Sequence, residues 1–385
     1  MLFNNNLSIL IMKEFNPQIL AFYLPQFYPT QENNAWYGEG FTEWTNVAKS
    51  KPCFKGHVQP KIPTDLGFYD LRLPQVRARQ AELAKEAGIT AFCYYDYWFG
   101  DGTVALDLPL KEVIRLKEPD FPFCLCWANH SWFKKSWNPD AKKLDQKILK
   151  QQQYLGESDY RAHFINLLPA FSDDRYYKID GKLVYVILAV HELPDYSLFK
   201  KVWNDLAKEH GLPEFYFLSY TPKIELLDSH PYTDTEGTVL SLLTNIQFKQ
   251  NYSRFSIYRD LLKRKIGEWT HKPLMLYSYK EASKYLLDPV LVNERVIPVI
   301  FPNWDYTPRR GASDLIFHNC TPELFKQHVK EAFNYIKNKP TNKQIIFLKS
   351  WNEWGEGNYM EPDMEFGKGR IIALREAIDE FKNDL

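Results

Sequence analysis

The sequence has no excess charge of either sign and few cysteines. Lysine plus arginine and aspartate plus glutamate each number 48, so the formal net charge at pH 7 is zero. This balance argues against a general nucleic-acid binder, which needs a basic excess to neutralise phosphates. Five cysteines in 385 residues are too few for a disulfide framework, and their odd number fits a reducing compartment. We interpret Cys124 and Cys126, which share one face of an apolar run, as buried thiols rather than metal ligands.

Long hydrophobic runs and targeting segments are also absent from the sequence. No stretch approaches the roughly 20 apolar residues of a membrane span. The run Leu7–Met12 is shorter than the core of a signal peptide, and no basic segment or small-residue cleavage site flanks it. We therefore expect a soluble, cytoplasmic protein. Residues 1–18 are expected to be a poorly ordered N-terminal extension, and residues 19–385 a single domain.

No glycine-rich nucleotide-binding turn follows any early apolar run, although open doubly wound sheets commonly carry one. Instead, eight short apolar runs alternate with helical stretches, which is typical of parallel strands buried on both faces. The alternation predicts a single (β/α)8 TIM barrel with extended βα loops, and an open doubly wound sheet is the alternative. The predicted strands are Ile19–Leu24, Thr90–Tyr95, Phe123–Ala128, Leu183–Leu188, Phe215–Tyr220, Thr238–Leu243, Ile297–Phe301 and Gln344–Leu348. The predicted helices are Leu73–Ala87, Asp159–Phe171, Ser197–His210, Arg259–Trp269, Glu323–Lys337 and Gly369–Phe381.

Aromatic residues are abundant, at 16% of the chain, and many follow the predicted strand ends. A TIM barrel carries its active site at the carboxyl ends of its strands. Sugars fit such a place, because their C–H faces pack on rings and their hydroxyls need polar partners. The alternative, that these aromatics only cap the barrel core, suits any one of them but suits several loops together less well. The predicted substrate contacts are Tyr23, Gln26, Glu43, Trp44, Tyr95, Asp96, Trp98, Trp127, Asn129, His130, Trp304, Asp305, Arg309, Arg310, Asn352 and Trp354.

Two glutamates three residues apart, Glu353 and Glu356, directly follow the last predicted strand among tryptophans and glycines. Glycoside cleavage needs two carboxyl groups in different protonation states, so we interpret them as a catalytic pair. A solvated acidic face is the alternative for an isolated pair of this spacing. Arg309 and Arg310 fit either an anionic sugar group or salt bridges that anchor their loop. His130 fits a ligand contact, an acid or base, or a packing residue, and no metal-binding spacing accompanies it, so no metal is expected. No cofactor is expected either.

Several motifs in fixed order resemble the WbsX proteins, a family similar to glycoside hydrolase family 99 and often encoded with O-antigen or capsule genes. The resemblance extends from about residue 19 to residue 381. The motifs are Tyr23-Leu24-Pro25-Gln26-Phe27, Gly40-Phe41-Thr42-Glu43-Trp44-Thr45-Asn46-Val47, Asp65-Leu66-Gly67-Phe68-Tyr69-Asp70, Phe123-Cys124-Leu125-Cys126-Trp127-Ala128-Asn129 and Trp351-Asn352-Glu353-Trp354-Gly355-Glu356-Gly357.

The resemblance implies a (β/α)8 barrel and points to the retaining endo-α-mannosidases of family 99. Carried over, Glu353 is the base that deprotonates the sugar 2-hydroxyl, which then forms a 1,2-anhydro sugar. Glu356 is the acid for the leaving oxygen and later the base for water. WbsX relatives usually have His in the place of Asp96, Glu in the place of His130 and Arg-Arg where Lys134-Lys135 stands. These departures imply an altered sugar specificity.

Three functions follow as hypotheses, each with an oligosaccharide or polysaccharide as partner. The first is a retaining endo-glycoside hydrolase that acts on a bacterial surface polysaccharide or its precursor. The second is a glycosyltransferase of O-antigen or capsule assembly, although no Asp-x-Asp sequence is present to hold a metal and a nucleotide sugar. The third is a glycan-binding barrel without catalysis, which the changed residues Asp96 and His130 suggest.

Overall fold

Within the described residues, eight parallel strands close into a barrel. The computed structural model describes residues 15–133, 147–246, 275–311 and 314–385, together with residues 258, 262, 265, 266 and 273. The strands are β1 (Gln18–Tyr23), β2 (Ala91–Trp98), β3 (Phe123–Trp127), β4 (Lys182–Ile187), β5 (Phe215–Thr221), β6 (Gly237–Leu240), β7 (Val296–Ile300) and β8 (Ile345–Leu348). Each strand pairs in parallel with the next along the chain. The sheet closes because β1 also pairs with β8, with Ile19 opposite Ile346.

Helices surround the barrel and follow most of its strands. The α-helices of the described residues are α1 (Gln31–Tyr37), α2 (Glu43–Lys49), α3 (Pro74–Ala87), α4 (Leu108–Leu116), α5 (Glu157–Phe171), α6 (Tyr196–Glu209), α7 (Tyr279–Ala282), α8 (Thr307–Arg310), α9 (Pro322–Ile336) and α10 (Gly369–Asn383). Helix α10 packs against both α3 and α9. It thereby completes the outer layer of helices where β1 pairs with β8. Only single 3-10 turns, Ile224–Leu226 and Tyr232–Asp234, lie between β5 and β6.

The predicted (β/α)8 barrel is confirmed, and the predicted apolar runs coincide with the eight barrel strands to within a few residues. These runs are readable because parallel barrel strands are buried on both faces. Helix α4 was not predicted, since it is only nine residues long and begins at Leu108-Pro109. The predicted helix Arg259–Trp269 lies outside the described residues, apart from positions 262, 265 and 266.

The chain is attached to the barrel just before β1. Phe15 is buried between Phe333 of α9 and Phe381 of α10, with ring centroids 5.3 Å and 5.0 Å away. The backbone N–H of Asn16 donates to Gln344 Oε1 over 2.9 Å. The expectation for the rest of the N-terminal extension, residues 1–14, lies outside the described residues.

The described residues bear on two expectations from the composition, which concern membrane-spanning helices and the state of the cysteines. None of these helices combines the length and the apolarity that crossing a bilayer would need. All five cysteines are free thiols, and Cys93, Cys124 and Cys126 are buried together in neighbouring strands β2 and β3. Among the described residues, no group of three or more His, Cys, Asp and Glu side chains could hold a metal ion.

Candidate active site

A cleft of about 230 Å³ lies at the carboxyl ends of the barrel strands. Its floor is formed by residues that end or directly follow strands, such as Leu24 after β1, Leu188 after β4 and Lys349 after β8. Helices α1, α2 and α8 supply the upper walls, because the long βα loops fold back over the barrel mouth. Both predicted catalytic glutamates, Glu353 and Glu356, face this cleft.

One arginine joins three carboxylates in the cleft. Arg309 Nε donates to Glu43 Oε1 over 2.8 Å, and Arg309 Nη1 donates to Glu353 Oε1 over 3.3 Å. The same Nη1 atom also binds Glu356 Oε1. The three glutamates are only 2%, 7% and 9% exposed, so water screens these pairs weakly. Arg309 therefore brings the carboxyl groups of Glu353 and Glu356 to one nitrogen atom.

The glycines of the loop after β8 are required by close packing. A Cβ atom on Gly355 would lie 1.6 Å from Glu43 Oε1 and 2.9 Å from Arg309 Nε. Gly357 has φ +58, and a Cβ atom there would lie 2.6 Å from the Cβ atom of Asp305. Any side chain at either position would displace the carboxylate cluster or the loop after β7. The two glycines thus allow the loop after β8 to touch α2 and α8 at once.

Asp305 fixes the short helix that carries Arg309. Its Oδ1 atom accepts from the backbone N–H and the hydroxyl of Thr307 at the start of α8. Its Oδ2 atom accepts from His57 Nε2 over 2.8 Å and from Gln59 Nε2 over 2.6 Å. Burial alone raises the pKa of Asp305, but the hydrogen bonds from His57, Thr307 and Gln59 bring its pKa below the usual value. Asp305 is therefore a charged anchor for α8.

The cations of the cleft stay protonated because carboxylates and a phenol surround them. Burial alone lowers the pKa of Arg309, but the charges of Glu43, Glu356 and Glu353 raise it well above the usual value. Burial likewise lowers the pKa of Lys349, but Tyr220, Glu353 and Glu356 together raise it above its usual value. Lys349 Nζ lies 3.3 Å from the hydroxyl oxygen of Tyr220.

One carboxylate oxygen of Glu353 has no hydrogen-bond partner among the described residues. Glu353 Oε2 is buried and accepts from no described donor, whereas Glu353 Oε1 accepts from Arg309. A buried carboxylate oxygen normally has a hydrogen-bond partner, and an unpartnered one calls for an explanation. The arrangement leaves this oxygen available to a hydroxyl of a ligand in the cleft.

Aromatic rings form the walls beside this polar floor. The rings of Tyr97 and Trp132 meet edge to face with centroids 5.0 Å apart, and Trp36 packs edge-on against Trp132 at 5.9 Å. Tyr37 stacks on Phe41 with centroids 4.4 Å apart. The cleft therefore combines apolar faces with charged groups, which is the combination that a sugar ring requires.

Seven of the predicted site residues lie in the cleft lining. The set is Gln26, Glu43, Tyr95, His130, Arg309, Glu353 and Glu356. The backbone oxygen of Gln26 also accepts from the backbone N–H of Glu43 over 3.1 Å, which fixes the start of α2 against the loop after β1.

The predicted contacts of β2 and β3 that do not line the cleft form a layer between the barrel and α5. Asp96 Oδ2 bonds His163 Nε2 over 2.7 Å, and Trp98 stacks on the same imidazole at 4.9 Å. Trp127 donates its indole N–H to the Trp98 carbonyl. Asn129 bonds the backbone of Ala189 in both directions. Asp96, Trp98 and Trp127 lie away from the cleft because neighbouring residues of a strand point to opposite faces. Asn129 follows β3, and its bonds to Ala189 hold it against the loop after β4.

The other predicted contacts support the loops from behind. Trp44 donates to the Tyr69 carbonyl, Trp304 stacks on Tyr306, and Arg310 pairs with Asp314. Tyr23, Asn352 and Trp354 belong to a buried network behind the catalytic loop. Of the two interpretations of the arginines, Arg310 is a loop anchor, and Arg309 binds carboxylates of the cleft itself.

Several cleft residues were not predicted from the sequence. They include Trp36, Tyr37, Phe41, Asn46, Tyr97, Trp132 and Lys349. Most of these lie in the same aromatic segments as predicted residues. The sequence therefore indicated which segments reach the cleft, but it did not indicate which side chains point into it. Lys349 lies two residues before the motif that begins at Trp351. In the sequence alone it resembles an ordinary polar residue at the end of a strand.

Comparison with known proteins identifies the family. The model of the family described as "Glycosyltransferase WbsX" matches residues 19–374. The chain belongs to the WbsX family. Two WxcX proteins of Xanthomonas campestris pv. campestris, both described as uncharacterised, are 30% and 31% identical to this WbsX chain over 361 residues. The match covers 94% of the chain but 49% of each relative, so the chain spans about half the length of these relatives.

Solved structures share the fold of this WbsX protein. The GH99 endo-α-mannosidase from Bacteroides thetaiotaomicron superposes with a TM-score of 0.54 at 15% identity, covering 96% of this chain and 98% of that one. A structure described as a glycoside hydrolase-like protein gives a TM-score of 0.57 at 16% identity, covering 94% of both chains. At these identities the likeness establishes the barrel fold, which is that of glycoside hydrolases of family 99.

Proposed function

We propose that this WbsX protein is a retaining endo-glycoside hydrolase that cleaves an α-mannoside-like linkage in a bacterial surface polysaccharide or its precursor. The observation that carries the proposal is the convergence of Glu353 and Glu356 on Arg309 Nη1 inside an aromatic cleft. Retaining hydrolysis needs two closely spaced carboxyl groups that flank the scissile bond. The family resemblance supplies the finer assignment of their roles.

In the proposed first step, Glu353 Oε2 takes the proton of the sugar 2-hydroxyl. The oxygen of that hydroxyl attacks C1, the glycosidic bond breaks, and Glu356 gives a proton to the leaving oxygen. The product is a 1,2-anhydro sugar and a free alcohol. The unpartnered Glu353 Oε2 supports this role, because a base needs an oxygen that the sugar hydroxyl can reach.

In the second step, Glu356 removes a proton from water, and the water oxygen attacks C1. The bond between C1 and O2 breaks, and Glu353 returns its proton to O2. Two inversions at C1 give net retention. The steps balance, since each glutamate ends in the protonation state in which it began.

The charges of the cleft fit one protonated carboxyl group. The lining carries the carboxylates of Glu43, Glu353 and Glu356 and the cations of Arg309 and Lys349, an excess of one negative charge before His130 is considered. The proposed mechanism needs a proton on Glu356, and one proton would make this set of charges neutral.

The test uses mannose-containing and uronate-containing oligosaccharides with detection of new reducing ends. We expect Glu353→Gln and Glu356→Gln each to lower kcat by at least about a thousandfold with unchanged thermal unfolding. Glu380→Gln, at an exposed glutamate of α10, serves as the matched control with wild-type turnover. Turnover close to that of the wild type in either cleft variant would overturn the assignment.

The description of the family model favours a second candidate, a glycosyltransferase of polysaccharide assembly. The two functions differ in the donor. Product that forms only when a nucleotide sugar is supplied would support transfer, and product from the oligosaccharide and water alone supports hydrolysis. Glycan binding that survives both glutamine substitutions, without product at long times, would indicate a binding protein instead.

A further inference from the structure

A buried carboxylate lies behind the catalytic loop and outside the cleft. Glu361 is 1% exposed, and it is not among the residues that line the cleft. Its Oε2 atom accepts from the indole N–H of Trp354 over 2.6 Å and from the hydroxyl of Tyr69 over 2.9 Å. Its Oε1 atom accepts from Gln80 Nε2 of α3 over 2.6 Å. Three donors from three segments therefore converge on one side chain.

These donors lead directly to the residues on either side of Glu353. Trp354 follows Glu353 in the chain, and its ring is held by stacking on Tyr359 at 3.7 Å. Asn352 precedes Glu353, and its Nδ2 atom donates to the same Tyr69 hydroxyl over 3.4 Å. Glu361 thus reaches one neighbour of Glu353 directly and the other through a single phenol.

We propose that Glu361 is a positioning residue for the catalytic pair, which holds Trp354 directly and Asn352 through Tyr69 so that Glu353 and Glu356 point into the cleft. The inference rests on the proposed function of these glutamates. Small displacements matter here, because a shift of about 1 Å in a reacting group can cost a factor of about one hundred in rate.

The observed directions of the hydrogen bonds fit the ionised form of Glu361. The Tyr23 hydroxyl donates to Gln80 Oε1, so the amide of Gln80 presents its N–H to Glu361. The Tyr69 oxygen accepts from Asn352, so its proton points to Glu361. A proton on Glu361 would face three donors and displace at least one of them.

Burial opposes that charge. Burial raises the pKa of Glu361 to about 7, and hydrogen bonds from Trp354, Gln80 and Tyr69 offset only part of the increase. Burial and then the charge of Glu361 raise the pKa of Tyr69 well above its usual value, and burial likewise keeps Tyr23 protonated by raising its pKa. Other charges lie near this network. Arg77 of α3 is buried and binds the Leu71 carbonyl, and Asp363 accepts from the hydroxyl of Tyr359 and pairs with Arg370. Glu361 is thus the group whose charge changes near neutral pH in this network.

The central variant is Glu361→Gln, which keeps the size of the side chain but turns an N–H group towards the converging donors. We expect kcat to fall by about tenfold to one hundredfold with little change in KM, because the cleft walls stay intact. In the wild type kcat should rise through pH 7 as Glu361 ionises, and this step should be missing from the variant. A variant with wild-type kcat and an unchanged pH profile would overturn the proposal.

Asp159→Asn is the matched control. Asp159 is also a buried carboxylate, 6% exposed, that accepts an indole N–H, from Trp98 over 3.1 Å, but it lies in the layer between β2 and α5. We expect this variant to lose stability and to keep the wild-type pH profile of kcat. The same loss of the step near pH 7 in Asp159→Asn would mean that a general loosening of the fold causes it, which also overturns the proposal.

A readout without turnover separates the two proposals. The indole ¹⁵N–H resonance of Trp354, assigned with Trp354→Phe, should shift through pH 7 in the wild type and stay constant in Glu361→Gln. No cleavage by the wild type of any tested glycan would count against the hydrolase alone if this resonance titrates. Cleavage that is unaffected by Glu361→Gln would count against the positioning role alone.

Discussion

Gly355 lies directly against the carboxylate of Glu43, although the two residues are more than 300 positions apart in the chain. A Cβ atom on Gly355 would lie 1.6 Å from Glu43 Oε1 and 2.7 Å from Glu43 Cδ. The absence of a side chain at position 355 lets Glu43 of α2 place a third carboxylate beside Glu353 and Glu356. Glu43 also accepts a hydrogen bond from Arg309, which in turn binds Glu353 and Glu356.

Gly355→Ala should therefore disable the site while the barrel stays folded. We expect a fall in kcat of at least about a hundredfold, and a loss of about 1–3 kcal/mol in the free energy of unfolding from overpacking. Adding Glu43→Asp should restore part of the activity, because the shorter side chain withdraws its carboxylate from the new methyl group. Steady-state kinetics and urea unfolding measure the two effects.

Gly102→Ala is the control for this prediction. Gly102 has φ +70 with open space around its Cβ position, so alanine there adds backbone strain of about 1–2 kcal/mol without a collision. We expect reduced stability and unchanged kcat. Equal kcat in Gly355→Ala and the wild type would show that Glu43 can move without consequence.

Arg309→Lys should also lower activity, although the positive charge remains. Lysine has a compact ammonium group in place of the planar guanidinium group with its several N–H donors. It therefore cannot bind Glu43, Glu353 and Glu356 in the observed geometry. We expect kcat to fall by about a hundredfold. The free energy of unfolding should fall by about 3 kcal/mol, because the buried carboxylates lose their partner. Kinetics and denaturant unfolding test this.

The neighbouring arginine gives a matched comparison. Arg310 pairs with Asp314 over 3.2 Å outside the cleft, and both side chains are partly exposed. Arg310→Lys should change stability by less than about 1 kcal/mol, as is usual for an exposed ion pair. Similar losses of kcat in the two variants would refute the special role of Arg309.

The strands of the fold were predictable because each barrel strand is a short apolar run that is buried on both faces. The side of each strand that faces the cleft could not be predicted in the same way. Along β2, Tyr95 and Tyr97 line the cleft, whereas Asp96 and Trp98 contact His163 of α5. The alternation follows from strand geometry, but β2 has aromatic residues on both faces, so its sequence does not show which face lines the cleft.

The position of Glu353 and Glu356 at the end of the last barrel strand was predictable from the sequence, whereas the contacts around them were not. Arg309 and Glu43 are 266 residues apart in the chain, so their contact depends on the closure of the barrel and on Asp305 fixing α8. Glu361 carries no sequence signal, because its importance comes from three donors that meet only in the folded chain.

Stability should depend on pH through Glu361. Burial raises the pKa of Glu361 from 4.5 to about 7, so between these values the folded chain holds a proton that the unfolded chain has lost. Stability from this group therefore falls as pH rises from about 4.5 to about 7. The difference in the free energy of unfolding between Glu361→Gln and the wild type should therefore change with pH. It should shift in favour of the variant by about 3 kcal/mol as pH rises from 4.5 to 8.

Urea unfolding of both proteins at several pH values measures this difference. All other titrating groups are shared, so they cancel in the comparison. Parallel stability curves for the two proteins would show that Glu361 does not change its protonation on folding.

The aromatic walls should control substrate binding more than chemistry. Tyr97 and Trp132 pack edge to face at 5.0 Å and both line the cleft, while neither bonds to a catalytic glutamate in the described contacts. Trp132→Ala should raise KM by about tenfold with kcat within about twofold, because it removes a stacking surface worth about 1–1.5 kcal/mol. Trp203→Phe, in the buried layer between α6 and the barrel, should leave KM unchanged while lowering stability. A fall in kcat without a rise in KM for Trp132→Ala would instead place this ring in the alignment of the scissile bond.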